Sequence, residues 1–326
     1  MTRRGLLVAG CGLVLATLLA GAAVAARSSP SRPGDASARC SGVSFGQVLG
    51  EAPANARPPL QRHPASAAVC AAYWIPQIDR LFVPQALAVS GDTAYVGGYR
   101  WAKAYGDRPC QIAVVDLTSG RVSRFVRRFQ APVYGPRPTF CRHGGGLELD
   151  RAGLWVAETE RLWLLDPARL GTAGQVRRVW RMPAGVRGSV LVVTGSRLGV
   201  ASYRKHRAGR VWWFSRSAVL AARDKRMPRP LSAGRVPPRL QGLTVRNGRL
   251  WTSSSSTHCA SLAAPGRTPV GFVPGSEDLV LSGRDLWTVS EAGAVPYLDP
   301  DERTVPMLLR LDRAQVLAGP RADCGF

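Results

Sequence analysis

Acid–base chemistry in this chain has little to draw on: four histidines and twenty-one acidic residues among 326. His63, His143, His206 and His258 are far apart and form no HExxH or paired spacing, so no zinc-binding helix is encoded. His143 is the most distinctive of them. It sits in Arg142-His143-Gly144-Gly145-Gly146, where a titratable ring precedes three glycines whose N–H groups could face an anion. The same glycines equally suit a chain entering a strand. Glu158 and Glu160 lie beside Arg161 and are expected to pair with it or with other arginines nearby. Gly42-Val43-Ser44-Phe45-Gly46 matches the GxSxG nucleophile elbow. That elbow needs a strand before it and a helix after it, and here it follows a Ser/Pro-rich stretch in a chain without α/β alternation. Asp116, Asp166 and Asp299 look like a carboxylate set. Each follows a short apolar run, where Asp opens a turn by accepting from an N–H two residues on.

What must position these groups is a repeat. Five gapless twelve-residue blocks begin at Gln85, Gly145, Ser189, Gln241 and Glu277. The third residue is always Leu (Leu87, Leu147, Leu191, Leu243, Leu279), and the fifth is Val or Leu. A Gly/Asp/Asn/Ser turn follows, then a second alternating run, the pattern of a β-hairpin. A second hairpin is expected after most blocks: 112–126, 162–182, 211–220, a degenerate 259–273 and a short 294–311. The blocks start 60, 44, 52 and 36 residues apart. About four strands per unit at that period predicts an all-β fold, a β-propeller of five four-stranded blades. Residues 40–83 would supply a sixth, partial blade or a strand that closes the ring, ahead of a propeller domain over 84–326. Trp155, Trp251, Trp287 and Tyr95 hold equivalent places and are expected to pack between blades. Trp212 and Trp213 are adjacent, so one of them must leave the face the other shares.

In a propeller the lead-in to each innermost strand and the loop between the second and third strands share one face. Sequence position then becomes spatial grouping. Gln85, Gln241 and Glu277 start inner strands; His143 and Arg187 lie in lead-in loops. The second-to-third-strand loops add Tyr99, Arg100, Glu158, Tyr203, Arg204, His206, His258 and Glu291. Convergent polar groups over a channel form the expected binding site.

Six cysteines remain beyond the N-terminal apolar run, and six allow fifteen pairings. Cys110 ends a loop of the first blade and Cys141 lies in the lead-in to the second, so they are expected to pair across the blade boundary. Cys40–Cys70 and Cys259–Cys324 then follow by elimination. No CxxC occurs.

Arg3-Arg4, the uncharged run Leu6 to Ala22, and the small residues around Ala23-Val24-Ala25-Ala26 read as a signal peptide over 1–26, of Sec or twin-arginine type. Residues 27–39 read as a polar linker. Export, disulfides and a secreted, monomeric protein are the expectation, with no membrane contact beyond the signal peptide.

The formal charge is +23, yet only three of the 44 basic residues are lysine (Lys103, Lys205, Lys225). Asn and Ile are scarce too, which points to GC-rich coding rather than selection for charge. The arginines are scattered, and there is no basic helix, RNP-like strand or basic tail, so nucleic-acid binding is not expected.

The segments 83-VPQALAVSGDTAYVGGY-99, 141-CRHGGGLELDRAGLWVAETERLWLLD-166 and 275-GSEDLVLSGRDLWTVSEAGAVPYLD-299 resemble NHL and SMP-30/gluconolactonase-like propellers. More narrowly they are similar to a group of secreted actinobacterial propellers. The resemblance covers roughly residues 80–312. Lactonases of the SMP-30 type imply carboxylate and Asn metal ligands at the channel ends of the inner strands. The matching positions here hold Gln85, Gly145, Ser189, Gln241 and Glu277, one carboxylate where calcium takes about six to eight oxygens. No metal or other cofactor is therefore expected. The expected function is extracellular binding or scaffolding for an anionic small molecule, glycan, wall polymer or protein. The alternative is a lactonase-, lyase- or cyclase-type enzyme using His143, Glu277 and Glu158 or Glu291 as acid–base groups.

Overall fold

A computed structural model describes residues 39–75, 77–223, 225–298 and 303–326. The expected signal peptide, all of the linker except Arg39, and Asp299 lie outside the described residues.

Strand β1 (Val69–Tyr73) belongs to the last sheet of the chain. The first blade is β2 (Phe82–Ser90), β3 (Thr93–Arg100), β4 (Cys110–Asp116) and β5 (Val122–Val126). A ribbon of β6 (Gln130–Pro132) and β7 (Pro138–Phe140) leads into the second. That blade is β8 (Gly146–Asp150), β9 (Gly153–Ala157), β10 (Arg161–Leu165) and β11 (Val176–Arg181). The third is β12 (Val190–Thr194), β13 (Arg197–Ala201), β14 (Gly209–Ser215) and β15 (Ser232–Val236), with helix α1 (Arg216–Ala221) inside its last connection. The fourth is β16 (Leu240–Arg246), β17 (Arg249–Ser255), β18 (Ala260–Ala263) and β19 (Val270–Gly271). The fifth is β20 (Val280–Ser282), β21 (Asp285–Val289) and β22 (Leu308–Asp312), followed by α2 (Arg313–Leu317). Its outer strand is β1, antiparallel to β22 with Tyr73 opposite Leu308. The inner strands β2, β8, β12, β16 and β20 touch one another in a ring. The molecule is a five-bladed β-propeller, and pairing of β1 with β22 closes it.

Two expectations about strands need correction. Residues 211–220 hold one strand and α1, not a hairpin, because the Ser215 side chain accepts from the Ala218 N–H and starts a helix. The fourth strand of that blade comes later, at 232–236. Residues 294–311 likewise contribute only β22; the missing partner arrives from the N-terminal side of the domain.

The hairpins follow from turn chemistry. Asn247 (φ 51°) and Gly248 (φ 72°) form the two-residue connection of β16 to β17, the left-handed pair that matches strand twist. Asp116 accepts from the Thr118 N–H and Asp166 from the Ala168 N–H, each closing a turn. The core lies between neighbouring blades, because each sheet is apolar on both faces. Leu147 and Trp163 meet Ala86 and Ile112 at the first boundary. Trp155 stacks on Trp180 at 5.7 Å within the second. Trp251 and Trp287 are buried in the cluster that joins the fourth, fifth and first blades. Gly146 is required where β8 approaches β12: a Cβ there would sit 2.4 Å from the Ser189 carbonyl oxygen.

Three disulfides are present: Cys40–Cys70, Cys110–Cys141 and Cys259–Cys324. The Gln315 side chain, in α2, holds both the N–H and the C=O of Cys40 at 2.8 Å. The segment ahead of β1 is thereby fixed to the fifth blade.

Candidate functional site

Inner strands are edge strands with unpaired N–H groups facing the axis, and buried N–H groups need acceptors. Two carboxyl groups meet that need. Asp278 accepts from the Leu87 N–H at 2.8 Å, and Glu148 from the Val193 N–H at 3.2 Å. Asp278 is buried and Glu148 half-buried, and removal from water is the first cause that raises each above the usual carboxylate range, Glu148 to about 8. Each also feels a second acid, Glu148 beside Asp278 and Asp150 beside Glu148. They close the channel core with protonatable groups.

Above them lies a hydrogen-bonded row from three blades. The Gln85 side-chain amide donates to Glu291 at 2.6 Å, and the Gln241 amide donates to Glu277 at 2.8 Å. Glu277 and Glu291 hydrogen-bond to each other. Two carboxylates cannot share a hydrogen bond unless one carries a proton, and with only 2% and 8% exposure neither charge is solvated. Burial, then the neighbouring acid, raises Glu277 well above its ordinary range; burial raises Glu291 to about 7.

Tyr99 and Tyr297 flank this row, their hydroxyls 2.7 Å apart. Burial first, then Tyr297 and Glu291, raise the Tyr99 phenol. His143 has φ 52° and a half-buried ring sandwiched between Tyr99 (centroids 4.2 Å) and Tyr105 (5.0 Å). Burial, then the Arg108 charge, lowers its pKa to about 4, so the ring is neutral near pH 7. The Arg108 guanidinium lies over Tyr99, Trp101 and Tyr105.

Other residues expected on this face are engaged apart from the channel-mouth row. Glu158 is buried against Arg161, whose Nε donates to it, and also accepts from the Arg142 N–H. Burial is the largest influence on Glu158 and raises it, against the two arginines. Arg187 reaches Glu160 at 2.5 Å. Arg204 lines a cleft of about 490 Å³ in the third blade. Arg100 and His258 are exposed. His143 is thus brought to Tyr99, while Glu277 and Glu291 are brought to each other and to the two glutamines. The Cys110, Cys141 and Glu158 donor atoms converge within 4.8 Å, but both sulfurs are in a disulfide and Glu158 is held by Arg161. That set offers a metal no free donors.

Reading the sequence missed Tyr297, Arg108, Asp278 and Glu148 as members of this centre. Glu148 was open to detection: it is the one carboxylate at the fourth position of the twelve-residue blocks, in the middle of β8. Tyr297 carried no signal, since it lies in an irregular loop.

No protein-family model matches this chain, and no curated protein sequence matches it. Solved structures do. BamB from Moraxella catarrhalis is 14% identical, with a TM-score of 0.32 over 70% of this chain and 59% of that one. This chain therefore spans less than two thirds of BamB. A chain of the nidogen/laminin complex is 15% identical, with a TM-score of 0.35 over 69% and 73%. The Pan2 WD40 domain from Neurospora crassa is 10% identical, with a TM-score of 0.36 over 76% and 67%.

Proposed function

We propose that this protein is an exported binding module whose loop face takes an anionic ligand or partner outside the cell. The observation that carries this reading is the division of charge on that face. Most carboxyl groups there have partners within the chain: Glu277 and Glu291 with each other and two amides, Glu158 with Arg161, Glu160 with Arg187, while Asp107 stays exposed. Arg100 and Arg204 remain outward and exposed, without a carboxylate partner among the described residues. Outward cations without an internal counter-charge attract anions to the surface. Three disulfides agree with an oxidising compartment.

The test separates site from bulk charge. A variant with Arg100, Arg187 and Arg204 changed to Ala is compared with one in which Arg151, Arg197 and Arg249, at the opposite end of the blades, are changed to Ala. Both lose three charges. On a dextran sulfate column the loop-face variant elutes at clearly lower salt than wild type, and the other elutes close to it. Equal elution of the two variants refutes the reading.

The lactonase-, lyase- or cyclase-type alternative keeps one specific support, the hydrogen-bonded Glu277–Glu291 pair, which could deliver and accept one proton. Loss of a hydrolytic or eliminating activity in Glu291→Gln with the fold retained would establish it.

A further inference from the structure

The cleft in the third blade has a character that the rest of the face lacks. It opens between the loop leading into β12 and the β13–β14 loop, with Trp212 at its base, and holds about 490 Å³. Its charged lining consists of Arg187, Arg204, Arg207, Arg210 and Arg235, with no acidic residue. Arg187 is paired with Glu160. Among the described residues, the other four guanidinium groups have no carboxylate partner.

The strand register makes this more than a loose patch. Arg210 on β14 stands directly opposite Arg235 on β15. The Arg210 N–H donates to the Ser202 Oγ on one side, and its C=O accepts from the Ser202 N–H there. Both backbone groups therefore point toward β13, which makes Arg210–Arg235 a non-hydrogen-bonded pair, the kind with the closer side chains. Like charges directly opposite one another are destabilising. Trp212, two residues on, shares the face and points into the same cleft. The free protein thus holds two cations in register on a buried aromatic floor, with two more on the loop above.

We propose that this cleft is a binding site for a tetrahedral oxyanion, a phosphate or sulfate ester group of a larger ligand. The inference rests on the anionic reading above and narrows it to one place and one chemistry. Four guanidinium groups offer more donors than one carboxylate can accept, whereas a phosphoryl group brings up to two charges and three strong acceptor oxygens. At the channel mouth the Gln85 and Gln241 amides already donate to Glu291 and Glu277.

The experiment is calorimetric titration of the purified protein with inorganic phosphate, inorganic sulfate and acetate at constant ionic strength. Phosphate or sulfate should bind at least about ten-fold more tightly than acetate, and their ratio identifies which ester the site prefers. Arg210→Ala, Arg235→Ala and the loop variant Arg207→Ala should each weaken that binding by about ten-fold or more, the loss of a charge-assisted donor group. Arg249→Ala, at the far end of the fourth blade, should leave it unchanged. Near-ultraviolet dichroism checks that each variant is folded. Equal affinity for acetate, wild-type affinity in Arg210→Ala and Arg207→Ala, or equal loss in Arg249→Ala overturns the proposal. If dextran sulfate selectivity survives while phosphate and sulfate fail to bind, only the cleft is refuted. If both fail, the anionic reading falls with it.

Discussion

Glu277 and Glu291 hydrogen-bond to each other across the channel mouth, and each receives an amide from a different blade, Gln241 for one and Gln85 for the other. One proton must reside in this pair for the row to hold together. The fourth, fifth and first blades therefore meet through a titratable joint.

That joint makes stability depend on pH. Burial raises Glu291 to about 7 in the folded protein, above its ordinary value near 4.5. Between those values the folded state keeps a proton that the unfolded chain releases, so this group's contribution to stability falls as pH rises from about 4.5 to about 7. His63 and His143, lowered by burial to about 4, act in the opposite sense and favour folding as pH rises toward 6.5. Glu291→Gln keeps the amide-bonded row without the titration. The melting temperature of wild type minus that of the variant should decline from pH 5 to pH 8. A flat or rising difference would count against the shared proton.

Glu158 and Arg161 are each 1% exposed and paired. Glu158→Ala leaves the guanidinium buried without a counter-charge and should cost about 3–5 kcal/mol in urea unfolding. Replacing both residues by Met should recover most of that loss. A single-variant loss below about 1 kcal/mol would show that Arg161 finds water.

At Gly146 the limit is steric. A Cβ would meet the Ser189 oxygen at 2.4 Å and the Leu191 nitrogen at 2.5 Å, both backbone atoms that cannot swing away. Gly146→Ala should destabilise by about 1–3 kcal/mol through separation of β8 from β12. Gly135→Ala, where nothing lies within 4 Å, should stay within about 0.5 kcal/mol of wild type. Matching losses at the two sites would show that glycine entropy alone is being measured.

Cys110–Cys141 spans 31 residues and ties the first blade to the lead-in of the second. Changing both cysteines to Ala should lower stability by about 4 kcal/mol, the order expected for closing a loop of that length. The two loops it joins, one carrying Arg108 and the other His143, should then become the first sites of proteolytic nicking. Unchanged stability in the double variant would place the constraint elsewhere.

The fold was legible in the five leucine-anchored blocks because a hairpin is written locally: alternation sets the faces, and Asn247-Gly248 sets the turn. The segments 211–220 and 294–311 misled because the fourth strand of a blade need not follow its third in sequence. Ser215 starts a helix, and β22 takes β1 as its partner from 235 residues away, measured from Tyr73 to Leu308.

The chain alone determined the hairpins of the blades, and with them an expectation of which residues reach the loop face. It placed Gln85, Gln241, Glu277 and Glu291 at one mouth without any distance being known. Only the tertiary structure decided their partners. Whether Glu277 faces an arginine, a metal or another acid depends on which side chains the closed ring brings within about 3 Å, a question of through-space geometry. The same holds for Arg210 and Arg235. In sequence they are two arginines of a GC-rich chain; register alone sets them opposite each other.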